Sequence, residues 1–218
     1  MGTMIVRELD TIARCRALAA AISVHAAVLI AFALAWGDGR GLSSLSTATF
    51  YDQAQAVEAL LLLVLLPWTA ARCVAVERGD DLVLLSAVTG VRPSRLILAR
   101  AVAVIAALWV VVLSGLPVLF MALRISAATW PHAAVGETEL LALTFVACGA
   151  LLVSRHVCHD RTRGWMVAAI ATGVLGVLVR LSSPLGTAAL LTACGAAAVW
   201  LLAIRADTSL RYLSEQRT

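Results

Sequence analysis

The sequence predicts an all-α, polytopic membrane protein. It has six transmembrane helices, an N-terminal interfacial helix, and a short cytoplasmic helix between spans two and three. Three observations predict this. First, 61% of the 218 residues are hydrophobic, against about 45–50% in a soluble domain, and the mean hydropathy is +0.94. Second, the excess is gathered into runs of spanning length, roughly 20 residues each. Third, arginines recur on alternate loops. No polar stretch is long enough to enclose a separate soluble core, so residues 1–218 read as one transmembrane domain.

All 17 basic residues are arginines. With so much Ala, Leu and Val, this points to a G+C-rich genome and hence a bacterium. The net charge of +4 does not point to nucleic acid, because arginines in a membrane protein mark the cytoplasmic side. The five cysteines, Cys15, Cys73, Cys148, Cys158 and Cys194, lie in or beside apolar runs without paired spacing, so no disulfide framework is expected. Arg7, Glu8, Asp10, Arg14 and Arg16 interrupt the N-terminus, and a run of spanning length follows. A cleavable signal peptide is therefore not expected.

Taken in order, the spans are 17–36, 56–74, 101–123, 140–154, 165–181 and 185–204. The fourth is short. The fifth and sixth nearly join at "RLSSPLG", as a tight hairpin or as two half-inserted helices. Pro67 and Pro117 each remove a backbone donor and should kink spans two and three. In span six, Ala189, Ala193 and Ala197 form a row of small residues that would permit close packing. With the N-terminus inside, Arg7, Arg14, Arg16, Arg72, Arg78, Arg92, Arg95, Arg100, Arg155, Arg161, Arg163, Arg205, Arg211 and Arg217 are cytoplasmic. Only Arg40, Arg124 and Arg180 fall outside. The bias repeats at every loop and sets both termini in the cytoplasm.

Before span one, Ile5, Leu9, Ile12 and Ala13 share one helical face of residues 4–16, and the charged residues lie largely on the other. This pattern suits a helix lying in the membrane interface. Between spans two and three, Asp80 and Asp81 suit a helix N-terminus. "LVLLSAV" follows, Gly90 offers a stop, and Pro93 bars continuation. A short helix over 81–89 results. Its apolar residues pack on the spans, on lipid or on another protein, and a docking partner is one reading among these.

The segment 77–95 resembles the corresponding loop of ABC transporter permeases of the type-2 exporter class, including the gliding-motility-associated permeases. Glu77, Arg78, Val83, Leu85, Thr89 and Pro93 match that family's pattern without a gap, and Arg100 stands where it usually has lysine. "VRELDTIARCRA", "LLPWTAARCVAVER", "LSGLPVLFMAL" and "ACGALLVSRHVCHDRTRGWMVA" are similar in order to its N-terminal helix and second, third and fourth spans. Gly79, Asp81, Leu82, Gly90 and Ala99 depart from its pattern. The resemblance implies a coupling helix seated in a cleft of a separate ATPase. Glu77 and Arg78 would orient the loop, and Asp80, Asp81, Leu85 and Thr89 would contact the partner.

The chain has no lysine, so it cannot form a P-loop. It is expected to bind no cofactor, with ATP and Mg held by the partner. A second permease subunit, identical or related, is the natural complement of a six-span chain. Membrane lipid is the remaining partner. Chemistry within the membrane has few candidates. Ser114–Gly115 in "VLSGLP" lacks the glycine pattern of rhomboid-type proteases, and no histidine partner is evident. His25, near the middle of span one, is a functional-site candidate because buried ionisable groups in lipid are costly. His156, Cys158, His159 and Asp160 are ligand types, but neighbours in a short turn rarely converge on one metal. Glu58, with Asp52 before it, either lines a substrate exit or marks a solvated helix start. Glu137 and Glu139 allow the same plain explanation. His25 and Glu58 are thus the candidates for a substrate pathway.

The expected function is the permease subunit of an ATP-driven exporter. A polytopic membrane enzyme and a membrane scaffold that recruits a cytoplasmic protein are the alternatives. Few charges in the spans suit a lipid-like, peptide or other amphipathic cargo better than a strongly ionic one.

Overall fold

The computed structural model describes residues 2–36, 48–73, 88, 90–126, 129–157, 170 and 191–205. Among these the chain is helical and contains no strand. Its elements are α1 (Gly2–Ala13), α2 (Arg16–Ala35), α3 (Ala48–Cys73), α4 (Pro93–Leu113), α5 (Leu116–Ile125), α6 (Trp130–Val157) and α7 (Leu191–Arg205). Four stretches are long and apolar enough to cross a membrane: Arg16–Ala35, Phe50–Cys73, Pro93–Ile125 and Trp130–Val153. The expected fifth span lies outside the described residues, as does nearly all of the coupling segment, including Glu77, Arg78, Asp80, Asp81, Leu85 and Thr89. The turn with Cys158, His159 and Asp160 lies outside them too.

α1 ends where Cys15 turns extended (φ −73°, ψ 117°), and α2 starts one residue later. α1 is amphipathic as its sequence predicts, and protein meets much of its apolar face. Ile12 is buried and Leu9 packs against the same core. Glu8 reaches Arg100 of α4 at 3.7 Å. On the open side Arg14 pairs with Asp10 one turn back, at 2.9 Å, an exposed contact worth a few tenths of a kcal/mol.

α2 turns Leu18, Ala21, His25 and Leu29 inward, a stripe with roughly helical spacing. Val24, Val28, Ile30 and Leu34 on its other faces are exposed. Water would penalise so large an apolar surface, whereas hydrocarbon would not. α3 is the central helix and packs against α2, α4, α5 and α6. It begins eight residues before the expected 56, and Pro67 stands inside it without ending it. α6 likewise begins at Trp130, not 140. α4 starts at Pro93, not 101, with the proline in the first turn, where its missing N–H costs nothing. Gly90, at φ +65°, takes the left-handed conformation that glycine adopts most readily.

The expected kink near Pro117 is a break at Ser114–Gly115. Pro117 occupies the first turn of α5, and both peptides before it keep short-range bonds (Ser114 N to Val110 O, 3.1 Å; Gly115 N to Val112 O, 3.1 Å). At the α1 end of the bundle the core is aliphatic. At the other end Phe50, Tyr51, Leu119 and Leu123 form a second cluster, capped by Phe32 and Trp36. The four described cysteines are free thiols.

α7 corrects one expectation. Its packed face is Leu191, Gly195, Val199 and Leu202, while Ala193 and Ala197 are exposed. The close approach is made by glycines. A Cβ on Gly195 would stand 2.5 Å from the Phe145 backbone of α6, and one on Gly149 would stand 3.1 Å from Gly195 O. We therefore expect Gly195→Ala to cost about 1–3 kcal/mol through overpacking and to lower the melting temperature in detergent. Ala197→Leu, on the exposed face, is expected to leave it unchanged.

Candidate functional site

A group of polar side chains lies where α2, α3 and the α4–α5 break meet. His25 and Glu58 both have zero solvent exposure. Each is placed by its helix's inward stripe. His25 sits four residues from Ala21 and from Leu29, and Glu58 four residues from Ala54 and Leu62, all buried. The expectation that Glu58 marks a solvated helix start is therefore overturned. It lies more than two turns inside α3, because the true start of the helix is upstream.

His25 Nδ1 is 2.9 Å from Ser114 Oγ, and His25 Nε2 is 3.3 Å from Glu58 Oε1. So Ser114, for which the sequence offers no evident histidine, has one, 89 positions away. Ser114 Oγ is also 2.6 Å from Val111 O. Which of Ser114 Oγ and His25 Nδ1 donates to the other depends on the histidine tautomer, and in either case Nε2 faces Glu58. The approach to Glu58 lies within ion-pair range but lacks hydrogen-bond geometry. Nε2 and both Glu58 carboxyl oxygens accordingly have no hydrogen-bond partner.

Gly115 makes this convergence sterically possible. A Cβ there would collide with Glu58 Oε1 and stand 2.9 Å from His25 Cε1 and 3.0 Å from Leu29 Cδ1. The break that Pro117 induces thus delivers two things to one point: a hydroxyl in Ser114 and bare backbone in Gly115.

A second polar layer lies toward the α5–α6 end. Gln55 of α3 is buried, and Gly136 of α6 leaves room for its amide, which a Cβ would overlap. Both carboxyl oxygens of Glu137 are buried without a hydrogen-bond partner. Next to Glu137 is a cavity of about 170 Å³. Tyr51, Leu119, Phe120, Trp130 and Ala134 are among its walls. Tyr51 Oη donates to Ala133 O at 3.5 Å. Beside Tyr51 and Ala133 in sequence, the exposed pair Asp52–His132 meets at 3.1 Å.

No protein-family model, curated protein or solved structure matches the chain. Its chemistry must be read from these side chains. Ser114, His25 and Glu58 stand in series, with His25 between the other two, and Ser114 Oγ also meets Val111 O at 2.6 Å. Among the described residues no group of His, Cys, Asp or Glu is suited to hold a metal. What the arrangement can do is hold charge or protons within an apolar bundle.

Sequence reasoning named His25 and Glu58 separately, and the structure brings them together. It missed Ser114 as their partner and Glu137 as a buried group. A Glu137 four residues from Ala133 and three from Leu140, both buried, was the available signal. We expect Gly115→Ala to destabilise the protein by about 1–3 kcal/mol. Combining it with Glu58→Ala should cost less than the sum of the single changes, because the collision is relieved. A double-mutant cycle on thermal unfolding in detergent measures this coupling.

Proposed function

We propose that this chain is the membrane-spanning permease subunit of an ATP-driven exporter of the ABC type. It sits in the cytoplasmic membrane of a bacterium with both termini inside. It pairs with a second permease subunit, and a separate ATPase docks on residues 77–95. On this reading the chain catalyses nothing itself. ATP and Mg belong to the partner.

One structural observation supports the reading beyond the sequence resemblance: the way α1 is strapped to the base of α4. The proposed docking segment runs straight into α4, which is continuous from Pro93 to Leu113. Glu8 of α1 meets Arg100 of α4 two turns above Pro93, and Ile12 seals the contact against the core. α1 then passes into α2 at Cys15. A displacement of the docking segment would move α4, α1 and the root of α2 together. At its far end α4 carries Ser114, which holds His25 of α2. The cytoplasmic segment is thereby linked to the buried polar group by continuous helix and direct side-chain contact, as a coupling element requires.

Extraction in mild detergent from native membranes should bring down a soluble subunit bearing a P-loop in stoichiometric amount. Leu85→Asp should insert normally and lose that subunit, since a carboxylate would be buried unpaired in the contact. Recovery of the wild-type chain alone, even after cross-linking in intact membranes, would sink the proposal.

A further inference from the structure

We propose that His25 and Glu58, together with Glu137, form a proton-binding site inside the bundle, loaded through the cavity beside Glu137. This goes beyond the exporter reading and does not depend on an ATPase being present.

His25 Nε2 and Glu58 Oε1 stand 3.3 Å apart at zero exposure, and neither Nε2 nor either Glu58 oxygen has a hydrogen-bond partner. A neutral imidazole beside a carboxylate there would bury an unpaired charge. One added proton makes the pair neutral overall, whether it rests on the imidazole or on the carboxyl. Removing an unpaired charge from water costs more than almost any other burial, and that cost is avoided only while the proton is bound.

Glu137 repeats the pattern. Both of its oxygens are buried and without a hydrogen-bond partner. The titratable groups on the packed elements are His25 on α2, Glu58 with Tyr51 and Asp52 toward the start of α3, and Glu137 with His132 on α6. None of these supplies a fixed positive charge.

The cavity of about 170 Å³ between Tyr51, Trp130 and Ala134 has Glu137 in its wall, and this is the route by which the proton enters.

The test uses the full chain in phosphatidylcholine–phosphatidylglycerol nanodiscs. Infrared difference spectra between acidic and alkaline buffer read the carbonyl stretch of protonated carboxyl groups. The wild type should show this band, shifted in D₂O. Glu58→Gln and Glu137→Gln, both isosteric, should each remove a share of it, and His25→Gln should shift the share that Glu58→Gln removes. If Glu58→Gln does not fold, Glu58→Asp replaces it, and the band must then shift. Ala134→Trp, at the exposed edge of the cavity, should keep the bands and slow deuterium uptake several-fold. A band unaffected by either glutamine variant overturns the site, as does its absence in the wild type. A band that sodium abolishes at fixed pH reassigns the site to a metal cation. Unchanged uptake in Ala134→Trp overturns the route.

Discussion

Burial of Glu58 against His25 is the constraint on which the rest of this bundle depends. A carboxyl and an imidazole at zero exposure are costly in any apolar interior, and the surrounding structure is arranged to make the placement tolerable. α3 runs through the centre, so that Glu58 is screened by α2, α5 and α6 at once. The α4–α5 helix is broken at the level of the pair and nowhere else among the described residues. The break brings the Ser114 hydroxyl to His25, and the adjoining glycine lets Glu58 approach. Were α4 and α5 one smooth helix, its side chains would occupy the space the pair now fills.

The same break reconciles two demands on a membrane helix. Backbone groups freed by a proline must be satisfied locally, because hydrocarbon offers no partner. At the break Ser114 N keeps a bond to Val110 O and Gly115 N one to Val112 O, while the Ser114 hydroxyl lies between Val111 O and His25 Nδ1. Local chain geometry and long-range polar contact are one arrangement here.

Much of the architecture was legible in the sequence. The helical class, the first span to within a residue or two and the amphipathic opening helix all follow from periodicity and glycine–proline punctuation. Errors clustered where an ionisable residue lies inside a span. Asp52 and Gln55 broke the apolar run of α3, so its start was placed at 56. Glu137 and Glu139 did the same for α6. Hydropathy cannot separate a buried acid from an acid at a helix end, since each lowers a local average equally. The partnership of Ser114 with His25 was invisible for another reason: 89 residues separate them, and nothing local in either helix names the other. On α7 the alanine row drew attention, yet the packed position is Gly195, because there the backbone of Phe145 comes too close even for a methyl group.

The depth of Glu58 has an electrical consequence. It stands eight residues beyond Phe50 in the 24-residue span Phe50–Cys73, about 12 Å along the helix at ~1.5 Å per residue. Across a hydrocarbon core of roughly 30 Å, that is about two-fifths of the way. One elementary charge crossing the full thickness exchanges about 2.3 kcal/mol with the field per 100 mV. A proton travelling only to Glu58 would exchange about 1 kcal/mol. If the span is transmembrane and the proton enters from the Phe50 side, occupancy of this pair is set by voltage as well as by acidity. The first two turns of α3 then act as a partial electrometer.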